Sequence, residues 1–210
     1  MINLYYILLA LVIGYWLGRY SYHVTSFQNQ GEELVSSAIQ ANFKAPNFHL
    51  LNHITLSLKN RTTQIDHILV SRFGVFVIET KNYKGWIFAN PKLATWTQVF
   101  FRKKFKFQNP IFQNILHVRA VEELLEFLPP KTIKSVVIFT GRAKFKTDMP
   151  SGVYTLDGFI EYLHDTEEEV MTLNRVQFCV GRLETARLAI TGKTDLEHLK
   201  NLKRRHRTKD

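Results

Sequence analysis

Hydrophobic and polar positions divide the chain into an apolar start, a run of strands and a set of later helices. Residues 1–22 are mostly apolar and carry no charged side chain before Arg19. This length suits a membrane-spanning helix, which needs about 20 residues. A cleaved signal peptide and a buried core helix are the competing interpretations, but the basic start of the former and the polar stripe typical of the latter are missing. We therefore predict one transmembrane helix over residues 1–22.

The following segment changes from polar to regularly patterned. Residues 23–30 are polar and predict a linker. Apolar residues recur at helical spacing over residues 32–42 and predict a short helix, which Pro46 ends. Five runs rich in Ile, Leu, Val and Phe predict strands at residues 48–58, 64–71, 75–81, 85–88 and 96–101.

The second half of the chain is predicted to be largely helical. Asn109 as N-cap and Pro110 at the first helical position begin a helix that extends to about Phe127. A buried strand is predicted over residues 135–140. Further helices are predicted at residues 156–164, from the capping box of Thr166 and Glu169 onward, and at residues 183–190.

This order of elements predicts an α/β domain with a mixed sheet flanked by helices over residues 31–142. Residues 143–192 are predicted to form a helical extension that packs on the domain. Residues 193–210 are predicted to be a basic tail.

Composition adds a strong charge bias to this outline. Hydrophobic residues make up 45% of the chain and charged residues 22%, which is typical of a globular fold. Lys and Arg number 28 against 18 Asp and Glu, so the net charge is +10. Such an excess favours nucleic acid phosphates or anionic lipid head groups as partners, although solvated lysine faces give the same net charge. The single cysteine, Cys179, excludes an internal disulfide.

Two of the predicted strands are joined by a tight connection at residues 71–74. If Ser71 pairs with Gly74, Asp66 lies directly opposite Glu79, and such opposed side chains are about 5 Å apart at Cβ. Lys81 follows Glu79 by two positions and is expected on the same face. The three side chains then converge, provided that the register is not shifted by one residue.

Two opposed carboxylates repel each other unless a cation lies between them. Mg²⁺ binds one or two carboxylates and keeps positions for water and for phosphate oxygens. We therefore predict that Asp66 and Glu79 bind Mg²⁺ or Mn²⁺, and that Lys81 orients the attacking water or stabilises charge on a scissile phosphate. The competing interpretation is a surface Glu-x-Lys pair on an ordinary edge strand.

The sequences QIDHI at residues 64–68 and GVFVIETKNYKG at residues 74–85 resemble the nuclease-related domain family. That family is similar to the PD-(D/E)xK endonuclease superfamily, which has a helix, three antiparallel strands, a helix and a further strand. The resemblance covers about residues 30–140 and implies a restriction-endonuclease-like fold. The sequence departs from the wider superfamily at Ile65, because a proline often precedes the acidic residue there.

The resemblance also implies site residues. It assigns Asp66 and Glu79 as metal ligands, Lys81 as the catalytic lysine and Glu32 as the acid of the first helix, with Glu33 as an adjacent alternative. It further implies a cleft lined by Gln64, Gln98, Asn109, Gln113 and His117. Gln113 and His117 share a helical face, although without the resemblance a residue such as His117 is more often an ordinary exposed or core-satisfied position. Basic residues interleaved with aromatic ones are predicted to contact nucleic acid: Arg102, Lys103, Lys104 and Lys106.

The sequence therefore predicts a single-pass protein of the cell membrane whose main domain, a Mg²⁺- or Mn²⁺-dependent nuclease, faces the cytoplasm and hydrolyses phosphodiester bonds in DNA, with RNA as the alternative substrate. The orientation depends on Arg19 alone. Two alternatives remain open. One is a nuclease fold that binds nucleic acid or a protein at the membrane without cutting. The other is a structural protein that binds lipid through the basic residues 203–209.

Overall fold

The computed structural model describes residues 4–58 and 61–187, so the predicted tail over residues 193–210 lies outside the described part. Its helices are α1 (Leu4–Asn42), α2 (Pro110–Leu124), α3 (Leu156–His164) and α4 (Leu173–Ala186). Its strands are β1 (Phe48–Leu58), β2 (Arg61–Ser71), β3 (Gly74–Phe88), β4 (Thr95–Phe100), β5 (Lys103–Gln108), β6 (Ile133–Phe145) and β7 (Val153–Thr155).

The first helix is longer than the sequence pattern predicts. α1 extends over 39 residues without a break, so residues 23–30, predicted as a linker, are helical. A polar segment can continue an existing helix because propagation is much easier than nucleation. Within residues 4–58 and 61–187, no helix combines the length and the apolar character needed to cross a membrane. The span predicted over residues 1–22 is therefore not found there; its aliphatic run stops at Ile13.

All seven strands belong to one mixed sheet. β1 to β5 follow one another as antiparallel neighbours, whereas β6 pairs in parallel with β3 and then with β7. The parallel pair requires a crossover connection, and α2 lies within it. A mixed sheet flanked by helices is the fold class predicted from the sequence.

β3 organises the sheet because it is long enough to pair with three strands. β6 pairs along one edge of β3 from Val75 to Ile87. On the other edge, β2 pairs with residues 74–78 and β4 with residues 86–88. In the part of the chain that the structure describes, residues 79–85 have no strand partner on that edge. The sheet thus forks around the middle of β3.

Helices cover both faces of the sheet. Val35 of α1 packs with Ile78 on one face, together with residues of α3. On the other face, Val77 packs with Val121 of α2 and Val176 of α4. Because successive strand residues point to opposite faces, the odd-numbered residues that follow Val77 face α2.

The region after residue 142 differs in part from the predicted helical extension. β6 continues to Phe145, and the short strand β7 precedes α3. The helix predicted to begin at Thr166 begins at Leu173 instead, with Thr172 as its N-cap. The Thr166 hydroxyl donates to the Tyr162 carbonyl at 2.7 Å, so it stabilises the end of α3 rather than capping a new helix.

The reactivity of the Cys179 thiol reports on how well α4 is packed. Its side chain is fully buried in the cluster between α4 and the sheet, and burial raises the pKa of its thiol to about 11. Because the thiolate is the reactive form, the folded protein is expected to react with Ellman's reagent at least roughly tenfold more slowly than the protein unfolded in urea. Equal rates measured by absorbance would show that α4 does not stay packed.

Candidate active site

Glu79 lies on β3 directly after the last residue that pairs with β2. Its side chain faces α2 and is only 2% exposed. One carboxylate oxygen, Oε1, accepts a hydrogen bond from Lys81 Nζ at 2.5 Å. The other, Oε2, is 3.1 Å from His117 Nε2. The carboxylate is therefore held from two sides in a buried position.

Asp66 lies beside Glu79 at the point where β2 leaves β3. Ser71 pairs with Gly74 and His67 with Ile78, which confirms the predicted register as far as the residue next to Asp66. At Asp66 the regular pairing stops, and its Oδ2 accepts a hydrogen bond from the Thr80 backbone N–H at 2.7 Å. This bond fixes the Asp66 carboxylate at the fork of the sheet.

α2 completes the cluster with two polar side chains. Lys81 Nζ donates to Gln113 Oε1 at 3.1 Å, in addition to its bond with Glu79. His117 Nδ1 is 2.7 Å from Thr63 Oγ1, so the imidazole bridges β2 and Glu79. The structure thus connects five residues predicted from the sequence: Asp66, Glu79, Lys81, Gln113 and His117.

The three charged groups influence one another. Burial and the negative charges of Glu79 and Glu32 raise the pKa of Asp66 well above its usual value. Burial also opposes ionisation of Glu79, but the His117 hydrogen bond and the Lys81 charge outweigh it and lower the pKa of Glu79. Burial disfavours the Lys81 ammonium, whereas the Glu79 carboxylate more than compensates and raises the pKa of Lys81. Glu79 and Lys81 therefore form an ion pair at neutral pH.

Comparison with known proteins places this cluster in a family. The profile of the nuclease-related domain family, NERD, matches residues 28–140. The chain belongs to this family. NERD domains belong to the PD-(D/E)xK-like nucleases, so the matched region has a nuclease-like fold.

A Bacillus anthracis protein described as uncharacterized is 34% identical over 159 residues, which cover 75% of this chain and 68% of the relative. No solved structure matches the chain. The NERD match contains every member of the cluster around Glu79. The similarity therefore covers the residues whose geometry is described above.

PD-(D/E)xK-like nucleases usually use divalent metals, so a site of this kind needs side chains that can bind a metal ion. Within residues 4–58 and 61–187, no group of three or more His, Cys, Asp or Glu side chains is arranged to hold a metal ion. Mg²⁺ often needs only one or two carboxylates and completes its shell with water. Asp66 and Glu79 meet that requirement, and the repulsion that raises the pKa of Asp66 is what a bound cation would relieve.

Glu32 lies on α1 and is 8% exposed. Its Oε2 is 3.5 Å from His53 Nδ1, and both residues line a cavity of about 350 Å³ with His67. The structure places Glu32 close enough to raise the pKa of Asp66, whereas Glu33, the alternative acid, is exposed.

Thr63 and His67 also lie near the cluster, although they are not among the site residues predicted from the sequence. Thr63 contacts His117 across 54 positions of sequence, which no local pattern reveals. His67 Nδ1 is 2.8 Å from Asn52 Oδ1, and burial lowers the pKa of His67 to about 4. The face on which His67 lies can be predicted from the sequence, because it follows Asp66 on β2 and successive strand residues point to opposite faces.

Three predicted cleft residues lie outside the contacts of Glu79. Gln64 is exposed on β2. Gln98 Nε2 donates to the Lys84 carbonyl at 2.8 Å and so joins β4 to β3. Asn109 is fully buried, where it caps α2 through the Ile111 N–H and donates to the Leu93 carbonyl. These contacts give Asn109 a structural role at the start of α2.

The predicted nucleic-acid-binding residues lie on the hairpin of β4 and β5. Arg102 is in its turn, with a positive φ of 63°. Lys103, Lys104 and Lys106 follow on β5, and all four side chains are exposed. Lys104 and Lys106 share one face of β5, whereas Lys103 points to the other.

Proposed function

We propose that this NERD protein hydrolyses phosphodiester bonds in DNA, with Mg²⁺ or Mn²⁺ as the working ion. One observation carries the proposal: Lys81 Nζ bonds to the Glu79 carboxylate at 2.5 Å, beside Asp66, at the fork where β2 separates from β3 before β4 pairs with it. The fork brings these buried charges to an edge of the paired region, where a substrate can approach them. An ordinary edge-strand Glu-x-Lys pair would be solvated rather than buried.

Lys81 acts as a positive charge in this proposal. Its pKa is raised by Glu79, so its ammonium stays protonated and is a poor base. Held by Glu79 and Gln113, it still has a third proton to donate to a phosphate oxygen. Such a donor stabilises the negative charge that develops during phosphodiester hydrolysis.

Asp66 and Glu79 would hold the ion, which supplies charge neutralisation and a more acidic water molecule. The His117 imidazole and the Thr80 N–H orient the two carboxylates. Thr63 in turn positions His117, so β2, β3 and α2 all fix the site. Fixed donors and charges avoid reorganisation during the reaction.

The test is a gel assay in which the full chain is incubated with supercoiled plasmid DNA and Mg²⁺ or Mn²⁺. We expect conversion to nicked and linear DNA, and none when EDTA is added. A parallel arm with a single-stranded RNA measures the preference between the two nucleic acids. DNA retention without any cleavage in either metal would overturn the proposal and favour a non-cleaving binding module.

We also propose that the N-terminal part of α1 attaches the protein to the cytoplasmic face of the cell membrane. The support is a set of exposed apolar side chains, with Leu8 55%, Leu11 64% and Val12 53% exposed. Such side chains favour a lipid environment over water. Membrane fractions should retain the full chain but not a variant without residues 2–16, and recovery of both in the supernatant would contradict the attachment.

A further inference from the structure

The second half of β3, with β4, β5 and the end of β6, has one packed and one exposed face. Ile87 and Trp96 lie on the packed face, together with Phe145. The alternate residues form the other face, and the side chains that we call the basic face are all exposed: Lys84, Trp86, Phe88, Lys104, Lys106, Arg142, Lys144 and Lys146.

Strand pairing places these side chains in rows. Trp86 pairs with Lys144 on β6 and with Val99 on β4. Val99 in turn pairs with Lys104 on β5. Because paired residues share a face, one row crosses four strands with a lysine at each end and the indole of Trp86 within it.

Two further rows have the same character. Phe88 pairs with Thr97, which pairs with Lys106. On the other side of the Trp86 row, Lys84 pairs with Arg142. The three rows are successive, because side chains on one face of a strand repeat every second residue at about 7 Å.

The charge of the basic face is not balanced by its own strands. There is no Asp or Glu between Glu79 and Glu122, nor between Glu126 and Asp148, and all members of the face lie in these two stretches. Trp86 and Phe88 remain 48% and 40% exposed. Lys146 Nζ lies 4.7 Å from the centre of the Trp86 ring, so cation and aromatic surface are adjacent.

We propose that the basic face binds single-stranded nucleic acid, with bases stacked on Trp86 and Phe88 and phosphates paired with the surrounding lysines and Arg142. Unpaired bases can stack on exposed aromatic rings while their phosphates pair with the surrounding positive charges. A duplex, in contrast, hides the faces of its bases. An anionic lipid surface needs the charges but not the rings at this spacing.

The basic face and the candidate active site share β3 but lie on opposite sides of the sheet. Lys84 lies three residues after Lys81, so the alternation of strand residues places its side chain on the side opposite to Glu79 and Lys81. A strand bound on the basic face must therefore pass around the fork of the sheet to reach Glu79 and Lys81. This deepens the proposed function and rests on it for the cutting of the bound strand, while the binding itself stands alone.

Binding is measured with the full chain by fluorescence anisotropy of a labelled oligothymidine in EDTA, where no metal-dependent cleavage occurs. The triple variant Lys104→Glu, Lys106→Glu, Lys144→Glu is compared with Lys44→Glu, Lys131→Glu, Arg175→Glu, which changes the net charge equally at exposed positions elsewhere. We expect roughly a hundredfold weaker binding and a salt slope smaller by about 2 in the first variant only. Equal losses in both would overturn the inference, because net charge alone would then explain binding.

Stacking is tested separately with Trp86→Ala. We expect roughly tenfold weaker binding of oligothymidine and little change for a duplex of the same length. Phe178→Ala is the matched control, because Phe178 is an exposed aromatic residue on α4, 56% exposed. Unchanged affinity of the Trp86 variant, or tighter binding of the duplex by the unmodified chain, would contradict single-strand recognition.

A third arm replaces the oligonucleotide with phosphatidylserine vesicles. Vesicle binding that the triple Lys→Glu variant loses, together with no binding of oligothymidine, would assign the basic face to lipid and overturn the inference. Binding of oligothymidine without plasmid cleavage would refute the proposed function but support the basic face. Plasmid cleavage together with unchanged oligothymidine binding by all variants would support the proposed function and overturn the inference about the basic face.

Discussion

Lys81→Ala is expected to lower the rate of Mg²⁺-dependent DNA cleavage at least about 100-fold, the usual effect of removing a donor that stabilises transition-state charge. The loss arises because the Lys81 ammonium is bonded directly to Glu79, and its raised pKa keeps the ammonium charged. Single-turnover cleavage of plasmid DNA, followed on gels, measures the effect.

Lys92→Ala is the matched control, because Lys92 is an exposed lysine in the loop between β3 and β4. It should cleave within about twofold of the unmodified chain, as expected for a surface substitution. Thermal unfolding of the Lys81 variant distinguishes lost chemistry from lost folding. Undiminished cleavage by a folded Lys81→Ala protein would remove Lys81 from the mechanism.

Trp96→Ala is expected to reduce the free energy of unfolding by about 3–5 kcal/mol, the cost of removing a large buried aromatic side chain. Trp96 is 1% exposed, and its ring stacks on Phe139 with centroids 6.2 Å apart. Its indole N–H donates to the Asn90 carbonyl at 2.8 Å, which the alanine would leave without that donor.

Trp86→Ala is the comparison, because Trp86 lies on the neighbouring strand but 48% exposed. It should cost only about 0.5 kcal/mol or less. Urea unfolding followed by circular dichroism gives both values. Similar losses for the two variants would mean that the face with Trp96 is not the packed side of the sheet.

Much of the fold follows from local patterns. The turn at Ser71 and Gly74 fixes the register of β2 and β3, and that register places Asp66 beside Glu79 and Lys81. The geometry of a turn depends on a few neighbouring residues, so the register of β2 and β3 can be predicted from the local sequence. The N-cap at Asn109 is local in the same way and is confirmed by its hydrogen bond to the Ile111 N–H.

Other features depend on contacts between segments that are distant in sequence, and local patterns do not reveal such contacts. β5 alternates basic and aromatic residues from Lys104 to Phe107, but almost every side chain is exposed, so the pattern alone does not separate a strand from an exposed basic segment, and pairing with β4 decides. The fork at residues 79–85 arises because β2 and β4 pair with separate segments of the same edge of β3. Thr63 reaches His117 only after the sheet and α2 have packed together.

Asp66, Glu79 and Lys81 are proposed to form one metal-dependent hydrolytic site. The most direct test is a Mn²⁺ titration in which bound ion, by electron paramagnetic resonance, and plasmid cleavage are measured on the same samples. We expect that cleavage rises with ion occupancy and that Asp66→Asn loses both, whereas Asp148→Asn, at an exposed position, loses neither. Cleavage by the Asp66→Asn protein at the rate and Mn²⁺ dependence of the unmodified chain would contradict this proposal.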